Sequence, residues 1–315
     1  MSTVSKASII IPTHKRPDLL HNLLESLSKQ KTAHRFEVIV INDGSDADLG
    51  MLEVEFSDIS TGIIYLDQNR GRAFARNEGV RHSSGNILIF VDDDMTVVGD
   101  FVERHVSACT GPTDVVIGNV LSPPEYKSHP LARYVERQGI HKLKSRQKIP
   151  PRCVRTGNVS LSRELFDKAG QFDESIWKYG EDIDLGMKLC HAGANFVFAA
   201  GAVSYHHHPP DLDDMITKMK EYGRYTVPLL VAHHPELKKA IKLHFAEPLR
   251  LARENPVMSL QKMGLRIILT PPFYRVALFV YRFKRLGRLL FPLIDYIRAY
   301  NYIRAYWQVQ KEAGG

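Results

Sequence analysis

Features that define whole protein classes are scarce in this chain of 315 residues. It has three cysteines, which lie far apart and form no CxxC pair: Cys109, Cys153 and Cys190. That spacing argues against a disulfide framework and against a thiolate zinc site, and it suits a reducing compartment. The first six residues lack the apolar core of a signal peptide, so a cytoplasmic location is expected.

Long apolar runs are also missing. A helix that spans a bilayer needs roughly 20 mostly apolar residues. The nearest approach is the stretch 264–300, where basic residues interrupt every window of that length: Arg266, Arg275, Arg282, Lys284, Arg285 and Arg288. A helix lying in the membrane interface is therefore the favoured interpretation of this stretch.

Acidic charge is scarce in only one part of the chain. Residues 1–214 hold 24 Lys and Arg against 29 Asp and Glu, whereas residues 215–315 hold 18 against 6. Basic charge concentrated at one end usually indicates an anionic partner, either nucleic acid or lipid. Aromatic and aliphatic residues are mixed into the basic part, so we expect an anionic membrane surface as the partner and no nucleic acid.

Apolar runs of strand length alternate with helical patterns in the first hundred residues. Buried strands are predicted at residues 8–12, 36–41, 63–66 and 87–91, and helices at 17–30 and 72–82. This alternation indicates an α/β fold with a mostly parallel sheet.

The pattern becomes less regular after residue 100. Residues 125–152 are polar, basic and flanked by proline, which predicts a mobile insertion. The remaining predicted elements are strands at 154–161 and 196–199, a helix at 181–191, and helices from 215 onward. We therefore divide the chain into an α/β domain, residues 1–214, and a basic helical extension, residues 215–315.

Polar residues follow three predicted strands at their carboxyl ends, where α/β sheets bind ligands. They are Pro12 with Thr13, Asp43, and the triplet 92–94. In an extended chain Asp92 and Asp94 would project to the same side. Carboxylates so close together repel unless a cation neutralises them. The position therefore favours a Mg²⁺ or Mn²⁺ site over a solvated acidic turn.

Other candidate positions have an ordinary structural explanation beside the functional one. Asp43 alone fits a simple turn. Its place at the same sheet edge as the acidic triplet favours a functional role. Gly71 would let the backbone approach a ligand, and the arginines that follow it could meet phosphates or lie on a solvated helix face. Carboxylates at 181–184 suit catalysis and the helix dipole equally. The three histidines at 206–208 are equally consistent with surface residues that bind nothing and with a metal-binding cluster.

Taken together, these segments resemble family 2 glycosyltransferases, which have the GT-A fold. The matching segments occur in the family's order and cover roughly residues 7–208: Ser8–Thr13, Glu37–Ser45, Asn69–Gly79, Gly85–Asp94, Thr156–Asn158, Gly170–Glu174 and Gly180–Leu185. The resemblance implies a Rossmann-like, mostly parallel central sheet flanked by helices, followed here by a helical C-terminal extension. It also implies transfer of a sugar from a nucleotide diphosphate donor to an acceptor hydroxyl, with inversion at the anomeric carbon.

Roles follow from the resemblance residue by residue. Pro12 and Thr13 resemble the wall of the base pocket, and Asp43 resembles the carboxylate that reads the base. Asp94 matches the metal-holding residue of the DxD motif, Asp92 is a further candidate ligand, and either Asp92 or Asp93 would hold the ribose.

The resemblance also covers the catalytic end of the site. Asp182 matches the catalytic base, and Glu181 would orient the acceptor or the base. His206 matches a position that completes the metal or diphosphate site. Further donor-binding candidates are Gly71, Arg72, Arg76 and Asn158.

The sequence departs from the family at two places. The family commonly has Tyr-Asn after Pro-Thr, where this chain has His14 and Lys15, which puts the nearby donor contacts in doubt. Asn42 replaces a common aspartate, but Asp43 keeps the base-reading carboxylate.

The resemblance predicts a metal-dependent hexosyltransferase with a glycan or lipid-linked acceptor, acting in synthesis of a polysaccharide, glycolipid or other cell-surface glycan. We expect residues 257–315 to hold it on the inner face of the cytoplasmic membrane. The alternatives for this tail are packing on the catalytic domain or a homodimer interface.

Two other function classes compete with this prediction. A nucleotidyltransferase would carry a glycine-rich phosphate loop after the first strand, and this strand ends instead in Pro12-Thr13-His14. The absence of a GxGxxG motif disfavours a dinucleotide oxidoreductase in the same way. A non-catalytic sugar- or lipid-binding protein with a decayed site is disfavoured because Asp43, Asp94 and Asp182 are all present.

Overall fold

The computed structural model describes residues 6–138, 140, 148–247 and 255–314. The contacts divide the chain into two compact units. The first unit comprises residues up to 127 together with 136–209, and the second comprises 128–135 together with the residues from 210 onward. The predicted division was a single one after residue 214, and the place of 128–135 in the second unit was not predicted.

The first unit is built on an eight-stranded sheet. Its strands are β1 Lys6–Thr13, β2 Arg35–Asn42, β3 Thr61–Tyr65, β4 Ile87–Phe90, β5 Met95–Val97, β6 Asp114–Leu121, β7 Val159–Ser162 and β8 Asn195–His206. Their order in the sheet is β3-β2-β1-β4-β7-β6-β8-β5. Four pairings are parallel and three, those of β4 with β7, β6 with β7 and β5 with β8, are antiparallel. The predicted mostly parallel sheet is therefore confirmed.

The described residues between the strands form seven helices, and the fifth of them belongs to the second unit except for its last residue. They are α1 Pro17–Ser28, α2 Gly50–Glu55, α3 Arg72–Arg81, α4 Phe101–Ala108, α5 Pro130–Glu136, α6 Arg163–Lys168 and α7 Glu181–His191. Single 3₁₀ turns lie at Ser57–Ile59, Pro124–Tyr126 and Pro151–Cys153.

Apolar clusters cover both faces of the sheet, because the central strands carry buried apolar side chains on both sides. In β1, Ile9 and Ile11 pack in the cluster that contains the leucines of α1, while Ile10 packs in the cluster on the opposite face with α3. A Cβ on Gly79 would lie 2.4 Å from the Cγ2 of Ile10, so only glycine lets α3 approach β1 this closely. This packing fixes the amino end of α3 beside the carboxyl ends of the strands.

Two predictions for the middle of the chain need correction. The strand expected at 154–161 begins only at Val159, because the preceding residues form a 3₁₀ turn and a loop. The insertion expected at 125–152 contains α5, whose Leu131 and Tyr134 are buried in an apolar cluster of the second unit. Residues 139 and 141–147 of that insertion lie outside the described residues.

The second unit is helical, as predicted. Its helices are α8 Leu212–Glu221, α9 Val227–His233, α10 Leu237–Ala240, α11 Pro256–Ile268, α12 Pro271–Tyr281 and α13 Phe291–Gly314. A π-helical turn at Tyr222–Thr226 joins α8 to α9, and a 3₁₀ segment at Lys284–Leu290 joins α12 to α13. Within the described residues no single helix is long and apolar enough to cross a membrane, and α11 with α12, bent by 61°, meets that test only as a pair.

Candidate active site

The carboxyl ends of β1, β2 and β4 meet at one edge of the sheet. The backbone N–H of Asp43, which follows β2, donates to the carbonyl oxygen of Thr13 at 2.8 Å. The Thr13 hydroxyl donates to the Oδ2 of Asp93, which follows β4, also at 2.8 Å. Parallel register thus brings together three of the predicted site residues, and Pro12 lies buried beside them.

The acidic triplet 92–94 is arranged differently from the prediction. Strand β4 ends at Phe90, and the residues after it form a turn rather than continuing extended. Asp92 accepts a hydrogen bond from Arg76 at 2.6 Å. Asp93 and Asp94 instead share the Nη1 of Arg16, at 3.3 and 3.0 Å. The extended chain assumed for these three residues is therefore not present, and Asp92 and Asp94 pair with different arginines.

Asp94 has the features of a cation ligand. Its Oδ2 lies 3.0 Å from Arg16 and 3.4 Å from the Nε2 of His206. Its Oδ1 is buried and has no hydrogen-bond partner among the described residues. A buried anionic oxygen without a partner is costly, and a divalent ion would satisfy it. Asp94 and His206 therefore fit a metal, whereas Asp92 is bound to Arg76.

Strand pairing explains why the ring of His206, rather than the ring of His207, reaches the carboxylate of Asp94. His206 ends β8 and pairs with Met95, the residue after Asp94. The ring of His207 points to another partner, since its Nε2 lies 2.8 Å from the Thr96 hydroxyl. The run is thus a strand end whose neighbouring side chains diverge.

The two carboxylates beside Arg16 differ in pKa. Burial raises the pKa of Asp93 to about 6, and the negative charges of Asp94 and Asp92 add to that effect. Burial also acts to raise the pKa of Asp94, but the hydrogen bond and charge of His206 and the charges of Arg16 and Arg72 outweigh it, so this pKa is lowered. Asp94 is consequently the carboxylate held in its anionic form.

Arg76 links the acidic turn to the start of α7. Its side chain is 0% exposed, and its guanidinium donates to Asp92 at 2.6 Å and to Glu181 at 2.8 Å. These two ion pairs account for the charge of Arg76, so the geometry does not support its predicted contact with a donor phosphate. Arg72, by contrast, is exposed and close enough for its charge to act on Asp94.

Asp182 is the accessible carboxylate at the start of α7. Its side chain is 20% exposed and its Oδ2 lies 3.4 Å from Arg155, whereas the Glu181 side chain is only 6% exposed and paired with Arg76. Burial is the main cause that raises the pKa of Asp182, and the charge of Glu181 raises it further against the opposing charge of Arg155. A carboxylate with a raised pKa is a stronger proton acceptor.

Asp43 positions the loop that leads into α3. Its two carboxylate oxygens accept the backbone N–H groups of Arg70 at 2.6 Å and Gly71 at 3.0 Å. Gly71 has φ +83°, and a Cβ there would lie 2.8 Å from the carbonyl oxygen of Trp177. The close approach at Gly71 is therefore to Trp177, and the approach to a ligand stays a prediction.

Asn158 lies below the site surface. It is 0% exposed, its amide donates to the carbonyl oxygen of Ala202 and to Ser204, and its Oδ1 lies 2.8 Å from the Nε2 of His105. Burial lowers the pKa of His105 to about 4, so this histidine is neutral. The hydrogen bonds hold β7 against β8 and α4, and they leave the Asn158 side chain no open face for a donor.

Three residues of this site were not predicted from the sequence. Arg16 bridges Asp93 and Asp94, and Arg155 faces Asp182. Trp177, one of two tryptophans in the chain, is 51% exposed next to Gly71. The rarity of tryptophan and its place five residues before Asp182 were the available signals, whereas nothing in the sequence separated Arg16 or Arg155 from other surface arginines.

Comparison with known proteins gives a consistent family. The model described as "Glycosyl transferase family 2" matches residues 8–170. The uncharacterised glycosyltransferase YfnE of Bacillus subtilis is 31% identical over 257 residues, which cover 65% of each protein. Glycosyltransferase AglE of Haloferax volcanii is 25% identical, over 77% of this chain and 80% of that one. The hyaluronan synthase of Pasteurella multocida is 27% identical, but the match spans only 24% of its length.

Solved structures share the architecture. The mannosyltransferase PcManGT from Pyrobaculum calidifontis, in complex with GDP-Man and Mn²⁺, aligns with a TM-score of 0.58 at 15% identity, over 95% of this chain and 88% of that one. GalNAc-T7 with UDP, GalNAc and Mn²⁺ aligns with a TM-score of 0.52 at 12% identity, over 84% and 55%. At such identities the likeness establishes the fold alone, and the predicted GT-A fold is confirmed.

Proposed function

The chain belongs to glycosyl transferase family 2, and we propose that it transfers a hexose from a nucleotide diphosphate donor to an acceptor hydroxyl with inversion. The observation that carries the proposal is the buried Oδ1 of Asp94, which has no hydrogen-bond partner in the described part of the chain and lies beside His206 at the same sheet edge as Thr13 and Asp43. A buried anionic oxygen there is suited to a cation that binds together with a diphosphate.

The proposed metal site uses Asp94 and His206. A bound Mn²⁺ or Mg²⁺ would offset the charge of the donor diphosphate as a Lewis acid. The Mn²⁺ named with PcManGT and with GalNAc-T7 supports this choice. The guanidinium of Arg16 lies between Asp93 and Asp94. When the donor and the metal bind, this guanidinium would either move away or share the two carboxylates with the metal.

The proposed base is Asp182. The acceptor oxygen attacks the anomeric carbon opposite the departing diphosphate, and a carboxylate oxygen of Asp182 takes the hydroxyl proton as the new bond forms. Because one in-line displacement occurs, the anomeric configuration inverts. Such general-base assistance contributes roughly 10²–10⁴-fold in rate. Glu181 is less suited to this role because its carboxylate is buried and paired with Arg76. It positions Arg76 and α7 instead.

The donor would lie along the carboxyl ends of β1 and β2. Each carboxylate oxygen of Asp43 has a second lone pair beyond the one used by the loop N–H groups, so Asp43 can still accept from a base. Thr13 and Pro12 would form one wall of this pocket, and Arg72 is an exposed cation available to a phosphate. The exposed ring of Trp177 gives a flat apolar surface against which a sugar or base could pack.

The acceptor is proposed from the relatives. Those with named products include a hyaluronan synthase, a chondroitin synthase and an O-antigen biosynthesis protein. We therefore place the reaction in synthesis of a polysaccharide, glycolipid or other cell-surface glycan, with a glycan or lipid-linked acceptor. Because the chain spans 17–35% of these three proteins, their full activities are not transferred to it.

A screen of nucleotide sugars tests the proposal. The melting temperature should rise with one donor in the presence of Mn²⁺, because a ligand of the native state stabilises it by mass action. Proton NMR of the product made from that donor should then show the inverted anomer. A chain that binds a sugar nucleotide but neither hydrolyses nor transfers it would instead be a binding protein with a decayed site, and a retained anomer would exclude the single displacement.

A further inference from the structure

Residues 255–290, which we call the basic apolar segment, expose an unusual number of large apolar side chains. The segment contains α11, α12 and the 3₁₀ turns that follow. Eleven of its large apolar side chains are between 42% and 77% exposed: Val257, Leu260, Met263, Ile267, Ile268, Phe273, Val276, Phe279, Phe283, Leu286 and Leu289. So many exposed apolar groups in one short segment indicate a binding surface.

Helical spacing gathers these side chains into stripes. In α11 the exposed residues Val257, Leu260 and Ile267 follow one another at intervals of three and seven, which is one face of a helix. In α12, Phe273 and Phe279 lie six residues apart with Val276 between them, again on one face. The opposite face of α12 packs inward, since Ala277 and Tyr281 belong to an apolar cluster with α13. Helix α12 is therefore anchored on one side and apolar on the exposed side, and α11 buries Ser259 and Lys262 on the side away from its apolar stripe.

The charge of the segment has one sign. Its 36 residues contain seven Lys and Arg and no Asp or Glu. Six of the seven basic residues are exposed: Arg266, Arg275, Arg282, Lys284, Arg285 and Arg288. In α12, Arg275 precedes Val276 and lies at the edge of the stripe rather than within it. Exposed apolar stripes bordered by cations are the pattern of a helix that lies in a membrane interface.

We infer that the basic apolar segment docks on the surface of an anionic lipid bilayer, with α11 and α12 lying in the interface. Anionic headgroups complement the six exposed cations, and the acyl region takes the apolar stripes. A second copy of this chain fits less well, because it would bring two surfaces of the same charge together. Nucleic acid would meet the cations but leave most of the apolar side chains in water.

Vesicle sedimentation with the full chain tests the inference. We expect the protein to pellet with vesicles of phosphatidylcholine containing roughly a third phosphatidylglycerol, and to stay in the supernatant with phosphatidylcholine alone. Raising the salt concentration should release it, since exposed charges are screened. Failure to pellet with anionic vesicles at low salt would overturn the inference.

Two sets of substitutions locate the surface. The triple variant Phe273→Ser, Phe279→Ser and Phe283→Ser removes apolar contact and keeps the charge. The variant Arg275→Gln, Arg282→Gln and Arg288→Gln keeps the apolar stripes and removes three charges, each worth about fivefold in binding. We expect the first set to abolish pelleting and the second to weaken it about 100-fold.

Matched controls come from the first unit. Met51→Ser with Val54→Ser removes two exposed apolar side chains of α2, and Lys31→Gln with Arg35→Gln removes two exposed charges. Both controls should pellet like the unchanged protein. If the segment variants also pellet normally, the segment is not the docking surface. If the unchanged protein does not pellet but sediments as a dimer that the Phe variants dissociate, the stripes bind a second copy and the inference is wrong.

The docking inference is independent of sugar transfer. Each variant should retain donor binding and transfer to a water-soluble acceptor, because none of the changed residues belongs to the first unit. Loss of vesicle binding with intact transfer is the expected pattern. Transfer failure in the unchanged protein would contradict the proposed function and leave the docking result standing.

Discussion

The first unit and the basic apolar segment use the same residue types in opposite ways. In the first unit Arg76 is 0% exposed between two carboxylates, and Phe90 is 0% exposed in the core. In the segment, Arg282 and Phe279 are both exposed, and no acidic residue is present to pair with the arginine. The difference shows that arginine and phenylalanine maintain structure in one region and form a surface in the other.

This contrast follows from how each region is built. The sheet edge brings the acidic triplet beside arginines from distant parts of the sequence, so that Arg16 pairs with Asp93 and Asp94 and Arg76 pairs with Asp92. The segment consists of local helices whose stripes are set by spacing alone. A substitution in the first unit should therefore disturb a defined partner, whereas one in the segment should change only what the surface binds.

The largest effect is expected at Asp182. The variant Asp182→Asn should lose roughly 10²–10⁴-fold in transfer rate, because the amide cannot accept the acceptor's proton. Donor binding, measured by calorimetry, should be retained. The control Glu164→Gln removes an exposed carboxylate from the first turn of α6, so it separates a general loss of helix-dipole stabilisation from the loss of a base. Near-normal transfer by Asp182→Asn would place the base elsewhere, with Glu181 or Asp184 next to be tested.

Arg76 should show the next largest effect. Arg76→Met leaves Glu181 buried without its cation, and breaking a buried ion pair in this way costs about 3–5 kcal/mol of unfolding free energy. Chemical denaturation of the variant measures this loss of unfolding free energy. The matched control on the same helix, Arg81→Met, removes an arginine that is 44% exposed and should cost no more than about 1 kcal/mol. Equal costs for the two variants would show that Arg76 does not hold the site together.

The buried neutral His105 predicts a pH dependence of stability. Its pKa is lowered to about 4 in the folded protein, so between pH 6.5 and 4 the unfolded chain binds more protons and the unfolding free energy falls as the pH falls. The contribution is complete above pH 6.5 and is worth up to about 3 kcal/mol. His105→Gln should flatten this slope, measured by denaturation at several pH values. His82→Gln, which removes an exposed imidazole, is the control, and a slope unchanged in His105→Gln would contradict the assignment.

The smallest effect is expected in the basic apolar segment. Phe279→Ala should change the unfolding free energy by no more than about 0.5 kcal/mol, because the ring is 58% exposed. Phe90→Ala, in the core, should cost about 3–5 kcal/mol. Thermal denaturation of both variants checks this. A large cost for Phe279→Ala would show that its ring is packed and that the two regions are built alike.

The sequence predicted the elements whose patterns are local. Apolar runs located the strands near 8–12, 36–41 and 87–91, and α3 and α7 begin where their patterns do. Parallel pairing then placed Thr13, Asp43 and the acidic triplet at one edge, since that placement requires only topology.

The partners of individual side chains could not be predicted from the sequence, because they depend on contacts between residues that are distant along the chain. Asp92 pairs with Arg76 because the chain forms a turn after β4. The apolar pattern of a strand does not predict such a turn. Asn158 was expected at the donor and lies instead in a buried network with His105, 53 residues away along the chain. Helix α5 was missed because its apolar residues find their partners in α12 and α13, more than a hundred residues later.

Donor binding by Asp94→Asn tests the central claim most directly. Calorimetry with the nucleotide sugar found in the screen should show binding by the unchanged protein in Mn²⁺ and at least about 10–100-fold weaker binding in excess chelator. Asp94→Asn should bind as weakly in Mn²⁺ as the unchanged protein does in chelator, while the exposed-site variant Asp100→Asn should bind normally. Donor affinity that is unaffected by chelator and by Asp94→Asn would contradict a metal-dependent transferase built on this sheet edge.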